Sequence, residues 1–261
     1  MTWYRARVEN LLYLEEEGVA TLTLMRPEVK NAITDEMWGQ LDALLRRFES
    51  SDARVLIITG GSQCFCSGAD LRDHTRITVD SLTRMRRISA VAAHLHNLPK
   101  PTIAKVQGVA AGAGCNLALG CDLVVASESA SFIEIFSKRA LSLDFGGSFL
   151  LPRLVGLAKA KEIAFFADRI DASQAAAIGL INKVVSELDI DEMVMSWARR
   201  LRDLPSQSLA LTKRLLNDSY GSTIEEALER ESQAQVISSH SKDAKEALSA
   251  FRERREPKFW P

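Results

Sequence analysis

The order of apolar and polar positions near the start of the chain predicts an antiparallel hairpin. Between Val8 and Met25, two apolar runs flank the polar segment Glu15–Gly18. The second run, Val19 to Met25, alternates aliphatic residues with threonine, as a half-buried strand does. Pro27 follows this run and is expected to end the strand.

The pattern then changes to helices that alternate with strands. Thr34 is a suitable N-cap for an amphipathic helix, and the segment Arg54 to Thr59 predicts a buried strand. A second amphipathic helix follows, and two more strands are predicted at Thr102–Val106 and Asp122–Ala126. This part of the chain therefore has the pattern of an α/β layer with mixed strand order.

Helical patterns dominate the chain after Phe132. One weak strand signal remains at Ile181–Val185. Thr223 and Glu226 have the spacing of a capping box, and a last helix is predicted at Ala244–Arg254. Helices at one end of a domain need an apolar surface to pack against, which is either the parent core or a neighbouring subunit.

Charge and composition exclude several classes of partner. The chain has 33 Lys and Arg against 34 Asp and Glu, which leaves no strong field to recruit nucleic acid or an anionic membrane. The most apolar stretch, Val109 to Ala126, contains Asn116, Asp122 and several glycines, so we expect it in the core and not across a membrane. The four cysteines lie in apolar or glycine-rich contexts, and no apolar leader precedes them. We therefore expect reduced thiols and a cytoplasmic protein.

A glycine-rich segment, Val106–Leu117, predicts a strand that turns into a helix. Backbone N–H groups near Ala113 would then point outward from a positive helix end, which is a donor site for an anion. Gly108, Gly112 and Gly114 also fit the G-x-x-x-G-x-G dinucleotide loop of a short-chain dehydrogenase. That class needs a Tyr-x-x-x-Lys pair, which none of the three tyrosines forms. A short-chain NAD(P) oxidoreductase is thus an alternative that lacks its catalytic pair.

A second loop, Cys64–Leu71, follows the strand predicted at Arg54–Thr59. Gly68 permits a sharp turn there, so that backbone N–H groups can face a pocket. Each loop taken alone is typical of a surface turn. Together in one α/β domain they supply two separate backbone donors, which is the arrangement that an oxyanion hole requires.

Several motifs, in the same order along nearly the whole chain, resemble the crotonase, or enoyl-CoA hydratase/isomerase, superfamily. An ordered series of this kind is highly specific. The matching segments are Met25–Pro27 with Asn31–Ala32, Phe65–Leu71, Gly108–Gly114, Gly146–Gly156, Ala175–Ile181 and Phe251–Phe259.

The resemblance implies an α/β fold with a crotonase-like repeated ββα spiral core over residues 1–198 and a helical C-terminal trimerisation region over residues 199–261. It implies a homotrimer or a dimer of trimers. The substrate would be an acyl-CoA thioester, and no separate cofactor is expected because coenzyme A is part of that substrate.

By the same resemblance, the main-chain N–H groups of Ala69 and Ala113 form the oxyanion hole. The adenine and pantetheine would pass residues 69–72, and the segment 72–86 would shape the acyl pocket. Arg26, Lys30 and Lys258 are candidate phosphate contacts, with Lys258 coming from the same or a neighbouring chain. Each of these three residues is equally explained as a solvated surface cation. The candidate substrate-binding residues are Arg26, Lys30, Ala32, Ser67, Ala69, Asp70, Leu71, Arg72, Phe136 and Lys258.

The acid–base positions differ from those of family hydratases, which hold a water between two glutamates. The matching positions here are Asn116 and Phe136, and neither side chain can take up a proton. Hydration by two glutamates is therefore not expected. Asn116 stays a candidate catalytic residue that orients a polar group.

Asp144 supplies another carboxylate. It could be the N-cap of the helix that follows, but the segment Phe136–Arg153 resembles the ring-oxepin isomerases of phenylacetate breakdown, in which the matching Asp moves protons along the acyl chain. Beside apolar Leu143 and Phe145, this carboxylate would be partly desolvated and more basic. We therefore expect Asp144 to shift a double bond, with a non-catalytic acyl-CoA-binding protein as the alternative. No metal site is expected, since the histidines are isolated or face different ways.

Overall fold

The computed structural model describes residues 4–72 and 80–260, so residues 73–79 of the segment expected to shape the acyl pocket lie outside the described residues. The strands are β1 (Tyr4–Val8), β2 (Leu11–Glu16), β3 (Val19–Leu24), β4 (Val55–Thr59), β5 (Thr102–Val106), β6 (Val109–Ala111), β7 (Leu123–Ser127), β8 (Ser131–Ile133), β9 (Ile170–Asp171) and β10 (Lys183–Val185). The α-helices are α1 (Asp35–Ser50), α2 (Ser81–Asn97), α3 (Ala113–Leu119), α4 (Gly147–Val155), α5 (Leu157–Phe166), α6 (Ala172–Ala177), α7 (Ile190–Arg202), α8 (Ser206–Asp218), α9 (Ile224–Ser239) and α10 (Lys242–Glu253).

The larger sheet has seven strands in the order β1-β2-β3-β4-β5-β7-β10. The first three are antiparallel neighbours, and the pairs from β3 to β10 are parallel. This confirms the predicted α/β class and the hairpin. The pattern did not predict β1, which is almost fully exposed, or β6, β8 and β9, which have only two or three residues and are too short to show a period.

The sheet is apolar on both faces because helices cover both. On β4, Leu56 and Ile58 belong to the main core, which also contains the apolar side of α1. Val55 and Ile57 point the other way, into a second cluster with Val194 of α7. A strand buried on both faces reads as a continuous apolar run, which is the pattern of this segment.

A second layer joins successive turns of the chain. Ile33 pairs with Ala69, Cys66 pairs with Ala110 in β6, and β6 pairs with β8. All three pairings are parallel, and each links the segment that follows one strand of the large sheet to the segment that follows a later strand. The loop after β4 therefore lies directly beside the loop that enters α3.

The C-terminal helices present apolar side chains to the surface. Leu216, Leu228 and Phe251 are more than half exposed. The predicted capping box at Thr223 is present. Because α7 continues to Arg202, through the boundary expected at residue 198, we propose that the helical region begins at Pro205. None of the helices within residues 4–72 and 80–260 is long and apolar enough to cross a membrane.

Candidate active site

Two loops from distant parts of the sequence, the loop that bears Ala69 and the loop that enters α3 at Ala113, lie side by side and form a seam. Ala69 lies in the loop after β4, and Ala113 is the first residue of α3. The amide of Cys66 donates to the carbonyl oxygen of Val109 at 3.0 Å, which holds the loops side by side. A Cβ placed on Gly68 would lie 3.7 Å from the nitrogen of Ala113. The structure therefore brings the two predicted oxyanion-hole residues together.

Neither of these two amides donates to a main-chain acceptor among the described residues. The Ile33 amide donates to the Gly68 carbonyl and the Asp70 amide donates to the Ile33 carbonyl, both at 2.8 Å. This parallel register directs the N–H of Ala69 away from Ile33. The N–H of Ala113 belongs to the first turn of α3, where no helical acceptor exists. Two main-chain donors are thus available along one seam.

Asp144 lies in the turn before α4, close to the same helix. The Nδ2 of Asn116, one turn into α3, donates to the main-chain oxygen of Asp144 at 2.9 Å. Gly147 provides the space, because a Cβ there would lie 2.6 Å from that Nδ2. The Oδ1 of Asp144 is buried and has no hydrogen-bond partner among the residues described. A buried acceptor without a protein partner indicates a place for a ligand or a water.

The backbone of this turn is bent by two residues with positive φ. Gly146 has a φ of 84° and is the N-cap of α4, with no side-chain cap bond. Phe145 has a φ of 46°, which is rare for a bulky residue, and its ring packs on Trp38 with centroids 4.9 Å apart. The N-cap position of α4 is Gly146, so the interpretation of Asp144 as the N-cap is wrong.

The surroundings of Asp144 make its carboxylate more basic. Burial raises the pKa of Asp144 to about 6, against the opposing positive charge of Arg84. Arg84 is buried in α2 and pairs with Asp35 of α1. A carboxyl with this pKa is mostly ionised at neutral pH, yet it accepts a proton more readily than an ordinary aspartate.

A second buried carboxyl, Glu134, was not among the predicted site residues. It directly follows β8 and is 1% exposed. Its Oε2 accepts from the Nδ2 of Asn116 at 3.4 Å, whereas its Oε1 has no partner among the described residues. Burial, helped by the charge of Asp144, raises the pKa of Glu134 to about 7, while a hydrogen bond with the Cys115 thiol lowers it. One signal could have identified it: Glu134 is the one charged residue in the segment Ala130–Phe136.

Comparison with known proteins assigns a family to this geometry. The family model described as enoyl-CoA hydratase/isomerase matches residues 14–260. This chain belongs to the enoyl-CoA hydratase/isomerase family. It is an enzyme of that family, and the dinucleotide-loop interpretation of the glycine-rich segment is therefore wrong.

Individual relatives cover nearly the whole chain. The 1,2-epoxyphenylacetyl-CoA isomerase of Escherichia coli K12 is 39% identical over 258 residues, which are 97% of this chain and 98% of that protein. The crotonyl-CoA hydratase of Syntrophomonas wolfei is 33% identical over 257 residues, covering 96% of this chain and 98% of that protein. The crystal structure of an enoyl-CoA hydratase from Polaromonas sp. JS666 matches with a TM-score of 0.89 at 32% identity, over 95% of this chain and 98% of that one. The crotonase-like fold expected from the sequence is thereby confirmed.

Arg26 and Asp70, two of the residues expected to contact coenzyme A, also hold the loop together. Arg26 is 14% exposed and donates to the Ala32 carbonyl at 2.6 Å and to Asp70 at 3.0 Å. Hydrogen bonds from Arg72, and to a smaller extent from Arg26, hold the pKa of the buried Asp70 carboxyl well below its usual range. The structure thus gives Arg26 a structural contact within the loop, and its predicted contact with a coenzyme A phosphate stays a prediction.

Other predicted contacts form a strip next to the seam. Lys30 is exposed, and its carbonyl accepts from the amide of Ser67 at 2.9 Å. Leu71 is 54% exposed. Phe136 is buried, and a Cβ placed on Gly112 would lie 3.7 Å from its ring. Contact of these residues with one extended ligand stays a prediction.

Lys258 lies near the start of β4, at the end of that strand away from the seam. The carbonyl of the next residue, Phe259, accepts from Arg54 at 2.9 Å, and Arg54 also stacks on Trp260. Arg54 precedes β4, whereas Ala69 follows the other end of that strand. Within one chain, Lys258 is therefore separated from the other predicted contacts, and a contribution from a neighbouring chain stays a prediction.

Among the described residues, no group of three or more His, Cys, Asp or Glu side chains could hold a metal ion. The Nδ1 of His94 lies 2.7 Å from a carboxylate oxygen of Asp42, while His96 packs edge-on against Phe149. The two histidines thus have separate surroundings.

Proposed function

We propose that the protein is an enoyl-CoA isomerase that moves a double bond along an acyl-CoA thioester, with Asp144 as its single base. One observation carries the proposal. Among the described residues, the buried Oδ1 of Asp144 has no hydrogen-bond partner, and Asn116 ties the main-chain oxygen of Asp144 to the helix whose first amide, that of Ala113, has no main-chain acceptor.

The chemistry follows from these positions. The thioester oxygen accepts hydrogen bonds from the amides of Ala69 and Ala113. Asp144 removes an α- or γ-proton, and the negative charge that develops on the oxygen is stabilised by the two donors, each typically worth ~3 kcal/mol. Asp144 then returns the proton to the other carbon, so that the double bond moves and no co-reactant is consumed.

Isomerisation is favoured over hydration by the residues at the two glutamate positions. Asn116 and Phe136 offer no pair of carboxylates to activate a water. The names of the relatives do not select between the reactions, because both an isomerase and a hydratase are similar over nearly the full chain.

The remaining assignments complete the proposal. Coenzyme A would lie along the strip that contains Lys30, Ser67 and Leu71, with the acyl group near Phe136. No separate cofactor takes part. The exposed apolar C-terminal helices support a homotrimer or a dimer of trimers. The four free, buried thiols support a reducing, cytoplasmic compartment.

The test is a panel of enoyl-CoA thioesters incubated with the protein in heavy water and analysed by mass spectrometry. We expect deuterium in at least one substrate, without the mass of added water, and no exchange with Asp144→Asn. Undiminished exchange in that variant would exclude Asp144 as the base.

Because the chain is an enzyme of its family, the alternative of an acyl-CoA-binding protein without catalysis is not proposed.

A further inference from the structure

Three buried oxygen atoms without hydrogen-bond partners among the described residues lie in one cluster around α3. They are Oδ1 of Asn116, Oε1 of Glu134 and Oδ1 of Asp144. Glu134 has no role in the single-base reaction above. We propose that Glu134, as an uncharged carboxylic acid, is a positioning residue that acts on the Asp144 base through Asn116. This inference rests on the proposed function for the identity of the base.

The hydrogen bonds define how the cluster is connected. The Nδ2 of Asn116 donates to Oε2 of Glu134 at 3.4 Å and to the main-chain oxygen of Asp144 at 2.9 Å. Both protons of this amide are thus directed at the two carboxyl residues. The end of β8, the first turn of α3 and the turn before α4 are joined at one side chain. A change at Glu134 therefore reaches Asp144 through one intermediate.

The charges around Glu134 favour its neutral form. Its described neighbours that titrate are Cys115 on α3 and Asp144 in the turn before α4, and the nearby cation Arg84 acts on Asp144. No described Lys, Arg or His pairs with Glu134 itself. Burial without a neighbouring cation disfavours the carboxylate form of Glu134. When Asp144 and Glu134 together hold one proton, Glu134 therefore carries it and Asp144 is ionised.

Ionisation of Glu134 would disturb the site in two ways. A carboxylate is a stronger acceptor than a carboxylic acid, so it would draw the Asn116 amide away from Asp144. It would also place a second negative charge near the enolate, in a poorly solvated environment. A residue kept only for packing at this position would be better apolar, because an unpaired buried carboxyl costs stability.

The experiment is the pH dependence of deuterium exchange in the wild type, Glu134→Gln and a control, Glu15→Gln. Glu15 is also buried, but its described partners are Tyr13 and Arg47. The exchange rate of the wild type should rise with pH as Asp144 ionises, near its pKa of about 6, and fall as Glu134 ionises, near its pKa of about 7. Glutamine stays neutral, so Glu134→Gln should keep the optimum rate within about three-fold and lose the alkaline fall. Glu15→Gln should keep both the acidic rise and the alkaline fall of the exchange rate.

Two results would overturn the inference. An alkaline fall that persists in Glu134→Gln would show that another group causes it. A loss of more than about 100-fold at every pH would make Glu134 a proton donor and not a positioning residue.

Infrared spectroscopy separates this inference from the proposed function. Between the two pKa values, the wild type should show a carboxylic acid C=O band that is missing in Glu134→Gln. A missing band in the wild type overturns the inference whatever the activity. If the band is present but no thioester exchanges deuterium, the neutral Glu134 stands and the proposed function fails.

Discussion

The seam with Ala69 and Ala113 and the cluster of Asn116, Glu134 and Asp144 are built in different ways. The seam is main chain, and its donors are fixed by regular pairing between loops. The cluster consists of side chains, and three of its oxygens are buried without partners among the residues described. A site made of amides serves any reaction that passes through an enolate. In the proposed reaction, the side chains beside it decide which carbon loses or gains a proton.

The two regions also differ in their effect on stability. The pairing of the seam satisfies the backbone groups that it buries, as an ordinary sheet does. The cluster keeps two carboxyls with raised pKa values out of water, which is unfavourable for folding. Loss of Asp144 and disruption of the seam should therefore both harm activity, but only disruption of the seam should also harm stability.

The largest effect is expected for Asp144→Asn. Loss of the base should lower the rate of isomerisation by about 10²- to 10⁴-fold. Because the pKa of Asp144 is raised in the folded state, the stability it contributes is present below its unfolded pKa and is lost as the pH rises through about 6. The variant should therefore unfold at the same or a higher urea concentration than the wild type at pH 8. A marked loss of stability at that pH would contradict this view of the cluster.

The seam is tested by Gly68→Ala with Gly61→Ala as its control. Both glycines have positive φ, 100° and 80°, so alanine should cost each about 1 kcal/mol of stability. A Cβ on Gly68 would lie 2.9 Å from the Ala111 carbonyl oxygen, whereas nothing lies within 4 Å at Gly61. We expect the rate of deuterium exchange to fall about 10- to 100-fold in Gly68→Ala but not in Gly61→Ala, because the amide of Ala69 is displaced relative to that of Ala113. Equal rates in the two variants would show that the spacing of the seam is unimportant.

A smaller effect is expected at Arg84. Its charge lowers the pKa of Asp144, so Arg84→Gln should move the acidic limb of the rate profile to higher pH, by less than about one pH unit. Arg87 pairs with the same Asp35 but is 59% exposed, and Arg87→Gln is the matched control. If both variants shift the limb equally, the effect comes through Asp35 and not through the field at Asp144.

The smallest effect is expected at the surface cations. Lys30→Ala should raise the KM for the thioester by about two- to five-fold, and less at high salt, as for an exposed charge. Lys258→Ala should leave KM unchanged unless a neighbouring chain brings Lys258 to the strip. An equal rise in both variants would place Lys258 in the assembled site.

The sequence predicted the elements with a clear period and missed those without one. The hairpin, the Thr34 cap and strand β5 agree with the structure. The short strands of the second layer contain too few residues to show alternation. They became visible only through long-range pairing such as that of Cys66 with Ala110.

The candidate site was predictable where it depends on backbone, since glycines mark the loops that bear Ala69 and Ala113. It was less predictable where it depends on distances between side chains. Glu134 was missed because nothing in the local sequence shows its contact with Asn116. The structural role of Arg26 was hidden for the same reason, because its partner Asp70 is 44 positions away.

The most direct test of the account is the infrared frequency of a bound thioester carbonyl. A saturated acyl-CoA with a 13C label at that carbon binds without reacting, so its C=O stretch reports the two amides alone. The account predicts a shift to lower frequency on binding to the wild type and a smaller shift with Gly68→Ala. An unshifted band in wild-type protein that is fully occupied by this acyl-CoA would contradict the convergence of Ala69 and Ala113 on the substrate.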